Sequence, residues 1–241
     1  MVNPIEYILD IFFPKRCIIC SKTQEAGSKM CLCPDCQENM FLTFHNPHLP
    51  YQRYFDKYAF CLPYIDNIKN SVLNLKFRNQ YTLAFTFGCI MAEKLENEDI
   101  SDIDMVVPVP ISKRRKKDRG YNQTELITKQ MCSITGLEMH GEALEKIKEI
   151  PPLSSMNKTD RINAVKGAYK VCGDVRGKAI LLTDDVYTTG STVNECARVL
   201  KKNGAKEVRI LTLSAGVSRE EAKIYTDIIR EKSPKRFFDL F

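Results

Sequence analysis

Thirteen consecutive residues, Ile180 to Thr192, constrain this chain more than any others; they read I-L-L-T-D-D-V-Y-T-T-G-S-T. A short apolar run with strand character delivers the chain to two adjacent carboxylates, Asp184 and Asp185. A turn of hydroxyls around one glycine follows: Thr188, Thr189, Gly190, Ser191 and Thr192. Neighbouring like charges cost free energy unless something nearby uses them. The pattern after the turn is helical, so the turn opens a helix. Unsatisfied N–H groups at a helix start, backed by the positive end of the helix dipole, bind a phosphate. Gly190 lets the backbone approach, and the hydroxyls add donors. The carboxylates accept, which suits the hydroxyls of a sugar whose phosphate lies in the loop. The ligand so deduced is a phosphorylated ribose. Without a ligand, Asp185 would be a helix cap and Gly190 a turn former. The sequence contains no G-x-x-x-x-G-K-[ST], and no G-x-G-x-x-G opens a helix, so neither a P-loop nucleotidase nor a dinucleotide fold is indicated.

The rest of the chain supplies a scaffold for such a turn. Tyr58–Tyr64 has strand composition, and Pro63 places its end near a sheet edge. Ile68–Phe77 and Tyr81–Leu95 carry apolar residues at helical spacing. Asp104–Val109 is a short buried-strand pattern and Asn122–Ile134 a helix. Ala179–Thr183 reads as a strand, Thr192–Asn203 as a helix ended by Gly204, and Glu207–Leu213 as another strand. Strands alternating with helices in this way predict an α/β fold, a parallel sheet flanked by helices. Ligands of such sheets sit outside the carboxyl ends of the strands, where Asp184 falls.

Near the front, Cys17-I-I-Cys20 and Cys33-P-D-Cys36 form two C-x-x-C pairs with twelve residues between them. Each tight turn can point two sulfurs at one ion, and two turns complete a tetrahedron, the arrangement of a closed structural zinc site. Cys31, two residues before Cys33, could take its place. Cys61, Cys89, Cys132, Cys172 and Cys196 are isolated in apolar surroundings and read as buried free thiols. One zinc ion is therefore expected.

The N-terminal stretch carries Glu6 and Asp10 among apolar residues, with Ile5, Ile8, Leu9, Phe12 and Phe13 on one helical face. It reads as an amphipathic segment and not a signal peptide. No apolar run is long enough to span a membrane, and the expected location is the cytoplasm. Reduced, metal-binding cysteines agree with that compartment. The net charge of +6 permits an anionic partner without requiring one. His45, His48 and His140 lack catalytic spacing. At the other end, Arg236-Phe237-Phe238-Asp239-Leu240-Phe241 would be costly to leave in water, so packing onto the domain is expected. Its F-F-D-L-F also loosely resembles a sliding-clamp docking peptide, without that motif's leading glutamine.

The thirteen residues Ile180–Thr192 resemble the phosphoribosyl pyrophosphate (PRPP) motif of type I phosphoribosyltransferases. More of the chain resembles one branch, the ComF family, in which a zinc ribbon precedes a phosphoribosyltransferase domain. The matching pieces are Leu75-Lys76-Phe77, Val107-Pro108-Val109-Pro110, Arg119-Gly120-Tyr121-Asn122-Gln123 and Arg161-Ile162-Asn163-Ala164-Val165-Lys166-Gly167-Ala168-Tyr169. The resemblance implies a zinc-ribbon module over residues 1–50 and a phosphoribosyltransferase-like domain over residues 51–241. It implies that Asp184 and Asp185 hold the ribose hydroxyls of PRPP and that Thr188, Thr189, Gly190, Ser191 and Thr192 hold its 5′-phosphate. Val109, Pro110 and Ile111 match the place of the pyrophosphate loop, and Mg²⁺ accompanies the ligand.

After that turn comes Lys113-Arg114-Arg115-Lys116-Lys117-Asp118-Arg119, six basic residues in seven positions. It reads as a mobile flap closing over pyrophosphate, as a patch for nucleic-acid phosphates with Tyr121 and Phe77 for stacking, or as a solvated loop. The ComF resemblance implies a part in DNA uptake during natural transformation, with single-stranded DNA and the uptake machinery as partners. The alternative is an active transferase passing phosphoribose to an amine or base and releasing pyrophosphate. No residue is assigned a catalytic role, because no acceptor-holding region is identifiable in the sequence.

Overall fold

A computed structural model describes residues 8, 10–39, 53–96, 102–150 and 158–232. Several sequence expectations lie outside these residues: Ile5 and Leu9, His45 and His48, the boundary between residues 50 and 51, and the aromatic tail from Arg236. In chain order the first half holds α1 (Pro34–Asn39), β1 (Lys57–Pro63), α2 (Asp66–Phe77), α3 (Thr82–Glu96), β2 (Met105–Pro108), α4 (Lys113–Arg119) and α5 (Gln123–Thr135). The second half holds β3 (Leu144–Lys146), α6 (Lys158–Val165), β4 (Tyr169–Val171), β5 (Ala179–Tyr187), α7 (Ser191–Lys202), β6 (Glu207–Ala215) and α8 (Arg219–Lys232).

β1, β6, β5 and β2 lie side by side in that order, and every pairing is parallel. This is the α/β sheet flanked by helices expected from the alternation of patterns. β1 is an edge strand, which accommodates Pro63 at its end. Alternate residues of each strand face opposite sides and fill two separate cores. Val106, Leu181, Leu211 and Leu213 pack with residues of α2, α3 and α5 on one face. Val107, Ile180, Leu182 and Ile210 pack with residues of α7 on the other. α3 and α5 lie so close that a Cβ on Gly88 would stand 2.5 Å from Cβ of Gln130. Glycine is required there by helix contact, not by backbone conformation.

The cysteine-rich segment shares the first core: Cys17, Ile18, Cys31, Leu32, Cys33 and Cys36 are all buried in it. Two bonds tie it to the helices. The Cys31 amide donates to Thr86 Oγ1 at 2.8 Å, and Asn67 Nδ2 donates to the Ile19 carbonyl at 2.9 Å.

The structure differs from the sequence reading in four places. β5 runs on to Tyr187, so Asp184 and Asp185 lie inside the strand and not in the loop after it. A small antiparallel pair, β3 with β4, was not foreseen, because three-residue strands carry too little periodicity to read. The basic run is a helix, not a loop. Ser112 caps it by accepting from the Arg115 amide, and Gly120, at φ 84°, ends it. Finally, Cys172 is exposed and Cys89 only half-buried, so two of the five isolated cysteines are not buried thiols. Among the described residues no helix is long and apolar enough to cross a membrane.

Candidate functional site

The site opens where the sheet loses a strand. β2 pairs with β5 only as far as Pro108 opposite Thr183, and the Val109 amide makes the last bond, 2.9 Å to the Thr183 carbonyl. Beyond that point β5 continues with β6 alone, pairing Asp184 with Thr212. α5, the second helix after β2, packs on one face of the sheet, and α7, the helix after β5, on the other. Strand ends whose following helices diverge leave a crevice, the usual ligand position in such sheets.

The N-terminus of α5 furnishes one wall. Asn122 caps it, accepting from the Thr124 amide at 3.1 Å, while its Nδ2 donates to the Val109 carbonyl at 3.1 Å. The cap thereby fixes the turn Val109-Pro110-Ile111 against the helix. The next two residues reach the carboxylates: Gln123 Nε2 donates to Asp185 Oδ2 at 2.6 Å, and the Thr124 hydroxyl to Asp184 Oδ1 at 3.4 Å. Thr128, one turn further, meets the Thr183 hydroxyl at 2.7 Å. Asp185 is buried, and Lys76 from the end of α2 places its ammonium 2.9 Å from Asp185 Oδ2.

The two carboxylates are therefore not equivalent. Asp185 has a lysine and an amide donor. Asp184 is half-buried and accepts from the Asp185 amide at 2.9 Å and from Thr124. Burial first, and the adjacent Asp185 charge second, push the Asp184 carboxyl up to about 7. A carboxyl poised in this way is shared between protonated and ionised forms near neutral pH, and further donors or a cation would shift it to the ionised form.

On the opposite side stands Lys146 of β3. Its ammonium lies 5.3 Å from the centre of the Tyr169 ring, its partner in the β3–β4 register. Burial, then the charge of Arg115, holds Lys146 below the usual lysine range, while Asp184 pulls the other way. Sequence reading missed Lys146, which the antiparallel pairing of β3 with β4 places where its charge is felt by Asp184.

The loop after β5 turns at Gly190, which has φ 71° and caps α7. A Cβ there would collide with the Tyr187 hydroxyl, so glycine is demanded by both conformation and space. That hydroxyl is buried beneath the loop without a hydrogen-bond partner among the described residues. The predicted phosphate-binding hydroxyls are drawn together here. Thr189 and Ser191 hydroxyls lie 2.7 Å apart, Thr188 accepts from Arg161 at 3.5 Å, and Thr192 bonds the Tyr169 hydroxyl.

The basic helix α4 extends from the same turn. Lys113 pairs with Glu145 at 2.7 Å, Arg114 with Glu149 at 3.8 Å and Lys116 with Glu125 at 3.2 Å. Arg115 donates to the Ile150 carbonyl at 3.0 Å, and Arg119 donates to Gln123. Lys117 makes no ion pair among the described residues. Tyr121 is not available for stacking: it is buried, and its hydroxyl donates to the Leu75 carbonyl. Phe77 is exposed, with the Arg119 guanidinium 5.0 Å from its ring centre.

Cys17, Cys20, Cys33 and Cys36 converge elsewhere, with all four sulfurs within 4.8 Å of one another. The Cys20 and Cys33 sulfurs are 3.7 Å apart. A tetrahedral ion with metal–sulfur bonds of about 2.3 Å sets its sulfurs roughly 3.8 Å apart, so the donor set fits zinc. Cys31 is not part of the cluster, which resolves the uncertainty over the second pair.

A parallel sheet with an acidic strand end, a glycine-capped helix and a flanking turn defines a class. Residues 82–239 match the model of the phosphoribosyl transferase domain, and the chain belongs to that family. Its relatives narrow the branch. Over 225 residues it is 25% identical to Competence protein F of Haemophilus influenzae, an alignment covering 84% of this chain and 98% of that protein. Over 207 residues it is 27% identical to DNA utilization protein YhgH of Escherichia coli, covering 82% and 88%. Over 150 residues it is 31% identical to Competence protein ComFC of Streptococcus pneumoniae, covering 62% and 64%. The resemblance to ComF proteins read from the motifs is thereby borne out.

Proposed function

We propose that this chain binds PRPP or a related ribose phosphate in the crevice at the end of β5, and that it acts in DNA uptake with single-stranded DNA as a partner. One observation carries the ligand assignment. Asp184 and Asp185 lie in the last half of β5, which leads through a short loop to a glycine-capped helix start with a buried tyrosine hydroxyl beneath it that has no partner among the described residues. The sugar hydroxyls donate to Asp184 and Asp185. The 5′-phosphate takes the amides of residues 188–192 and the Thr188, Thr189, Ser191 and Thr192 hydroxyls. The pyrophosphate lies along Val109, Pro110 and Ile111.

The carboxylates and the ligand's own phosphates offer the hard oxygen donors that suit Mg²⁺. When bound, the ion offsets the pyrophosphate charge. The elevated Asp184 carboxyl fits a group that holds its proton in the empty site below about pH 7 and gives it up when donors and a cation enter. A zinc ion on Cys17, Cys20, Cys33 and Cys36 staples the module of residues 1–50, whose own core is small, and the domain of residues 51–241 follows it, in the cytoplasm.

The DNA part of the reading rests on relatives named for competence and DNA utilization and on the exposed basic face of α4. Its test is single-stranded DNA binding across a salt series. Affinity should fall steeply as salt rises; weak, salt-independent binding would remove DNA from the account. For the ligand, PRPP with Mg²⁺ should raise the melting temperature, and the shift should vanish in the Asp184→Asn, Asp185→Asn double variant.

A further inference from the structure

The crevice, read as above, takes a sugar and its phosphates, and that reading names no residue offering a surface to a ring. The geometry points to such a surface on its rim: Phe77, backed by Arg119, is a platform on which a nucleobase stacks. The proposal rests on the sugar-phosphate reading of the crevice and extends it to a further subsite.

Phe77 is the last residue of α2 and is 69% exposed. A single exposed aromatic needs no explanation. This one sits between two anchored residues. Its chain neighbour Lys76 is fixed by the ion pair to Asp185, 2.9 Å away. One face of its ring carries the Arg119 guanidinium at 5.0 Å. Arg119 is itself fixed by its bond to the Gln123 side-chain oxygen, and Gln123 donates through its other terminus to Asp185 at 2.6 Å. Phe77, Arg119, Gln123, Asp185 and Lys76 thus close a ring of contacts around one carboxylate. With one face taken by Arg119 and 69% of the residue exposed, the ring still has surface to offer, two side chains away from that carboxylate.

A cation over one face of an aromatic ring contributes through the ring quadrupole, and it also keeps the ring from turning. A planar heterocycle can then stack on the free face with little ordering cost. A ribose gripped by its 2′- and 3′-hydroxyls at Asp184 and Asp185 has its anomeric carbon one bond from C2′, and that carbon carries or receives a base. The ring chemistry is shared by two sources, a free base or nucleotide and a base of a single strand. Tyr81, 52% exposed across the turn from Phe77, offers a second aromatic for the latter.

The chain contains no tryptophan, so Phe77→Trp in the 241-residue protein creates a single fluorescent reporter at the platform. It is titrated with AMP, with oligothymidylate and with ribose 5-phosphate, which lacks a base. Calorimetry on wild type and Phe77→Leu runs in parallel. A stacked base quenches the indole, and stacking of roughly 1–3 kcal/mol per base corresponds to a gain of about 5- to 150-fold over ribose 5-phosphate. Phe77→Leu should bring the affinity of the base-bearing ligand down toward that of ribose 5-phosphate. Quenching by AMP assigns a free nucleotide; quenching by oligothymidylate alone assigns the base of a strand; either supports the platform. If ribose 5-phosphate binds but neither base-bearing ligand quenches the indole or gains affinity, the platform is refuted and the crevice stands. If ribose 5-phosphate and PRPP with Mg²⁺ both give no heat, the crevice reading fails, and quenching of the indole then no longer counts for the platform.

Discussion

Asp184→Asn should stabilise the ligand-free protein while destroying its site, and the gain should depend on pH in a defined direction. The Asp184 carboxyl rises from 3.8 to about 7 on folding. Because the native state holds the proton more tightly than the unfolded chain, the penalty is absent below about pH 4, where both states are protonated. It grows as pH rises and is complete above about pH 7. Such a shift is worth at most about 4 kcal/mol at 1.36 kcal/mol per pH unit. Water at the exposed edge of this half-buried group reduces the figure to about 2 kcal/mol. Asparagine keeps the oxygen that accepts from the Asp185 amide and Thr124, so little else changes. Thermal unfolding without ligand should therefore show Asp184→Asn melting level with wild type near pH 4 and roughly 4–8 °C higher at pH 8. Equal melting at both pH values, or a less stable variant at pH 8, would refute the reasoning. The same linkage requires PRPP affinity in wild type to rise with pH through about 7, because the ligand takes the ionised carboxylate.

Three further outcomes are expected. Cys33→Ser should lower bound zinc from about one ion per chain to none in metal analysis, and the melting temperature should fall, because Cys33 lies in the core shared with α3. Gly190→Ala forces a side chain into a left-handed backbone and onto Tyr187; denaturant unfolding should show a loss of about 1–3 kcal/mol, with PRPP binding weakened as well. Lys117→Gln removes an exposed cation outside the α4 ion pairs, so the salt-dependence slope of single-stranded DNA binding should drop by about 0.7, a change read directly from binding curves at several salt concentrations.

The sheet was legible because its strands are short apolar runs punctuated by helical periodicity, and Ile180–Leu182, Val106–Val107 and Ile210–Leu213 could be nothing else. The four clustered cysteines were legible from spacing alone. What escaped was whatever depends on contacts distant in sequence. Asp184 and Asp185 belong to the strand because β6 continues beside them, a fact absent from their own neighbourhood. The run from Lys113 to Arg119 looked like a loop because six cations repel. Ser112, Gly120 and the acids at Glu125, Glu145 and Glu149 make it a helix. Tyr121 looked free beside the basic run, yet it is spent on the Leu75 carbonyl. Lys146, whose charge acts on Asp184, lies on one of two three-residue strands whose pairing no local pattern announces.

Isothermal calorimetry of PRPP with Mg²⁺, run on wild type and on the Asp184→Asn, Asp185→Asn variant, tests the central claim most directly. A saturable single-site isotherm in wild type that disappears in the variant is the predicted result. No heat in wild type, or an isotherm that survives loss of both carboxylates, would contradict the placement of the ligand at the end of β5.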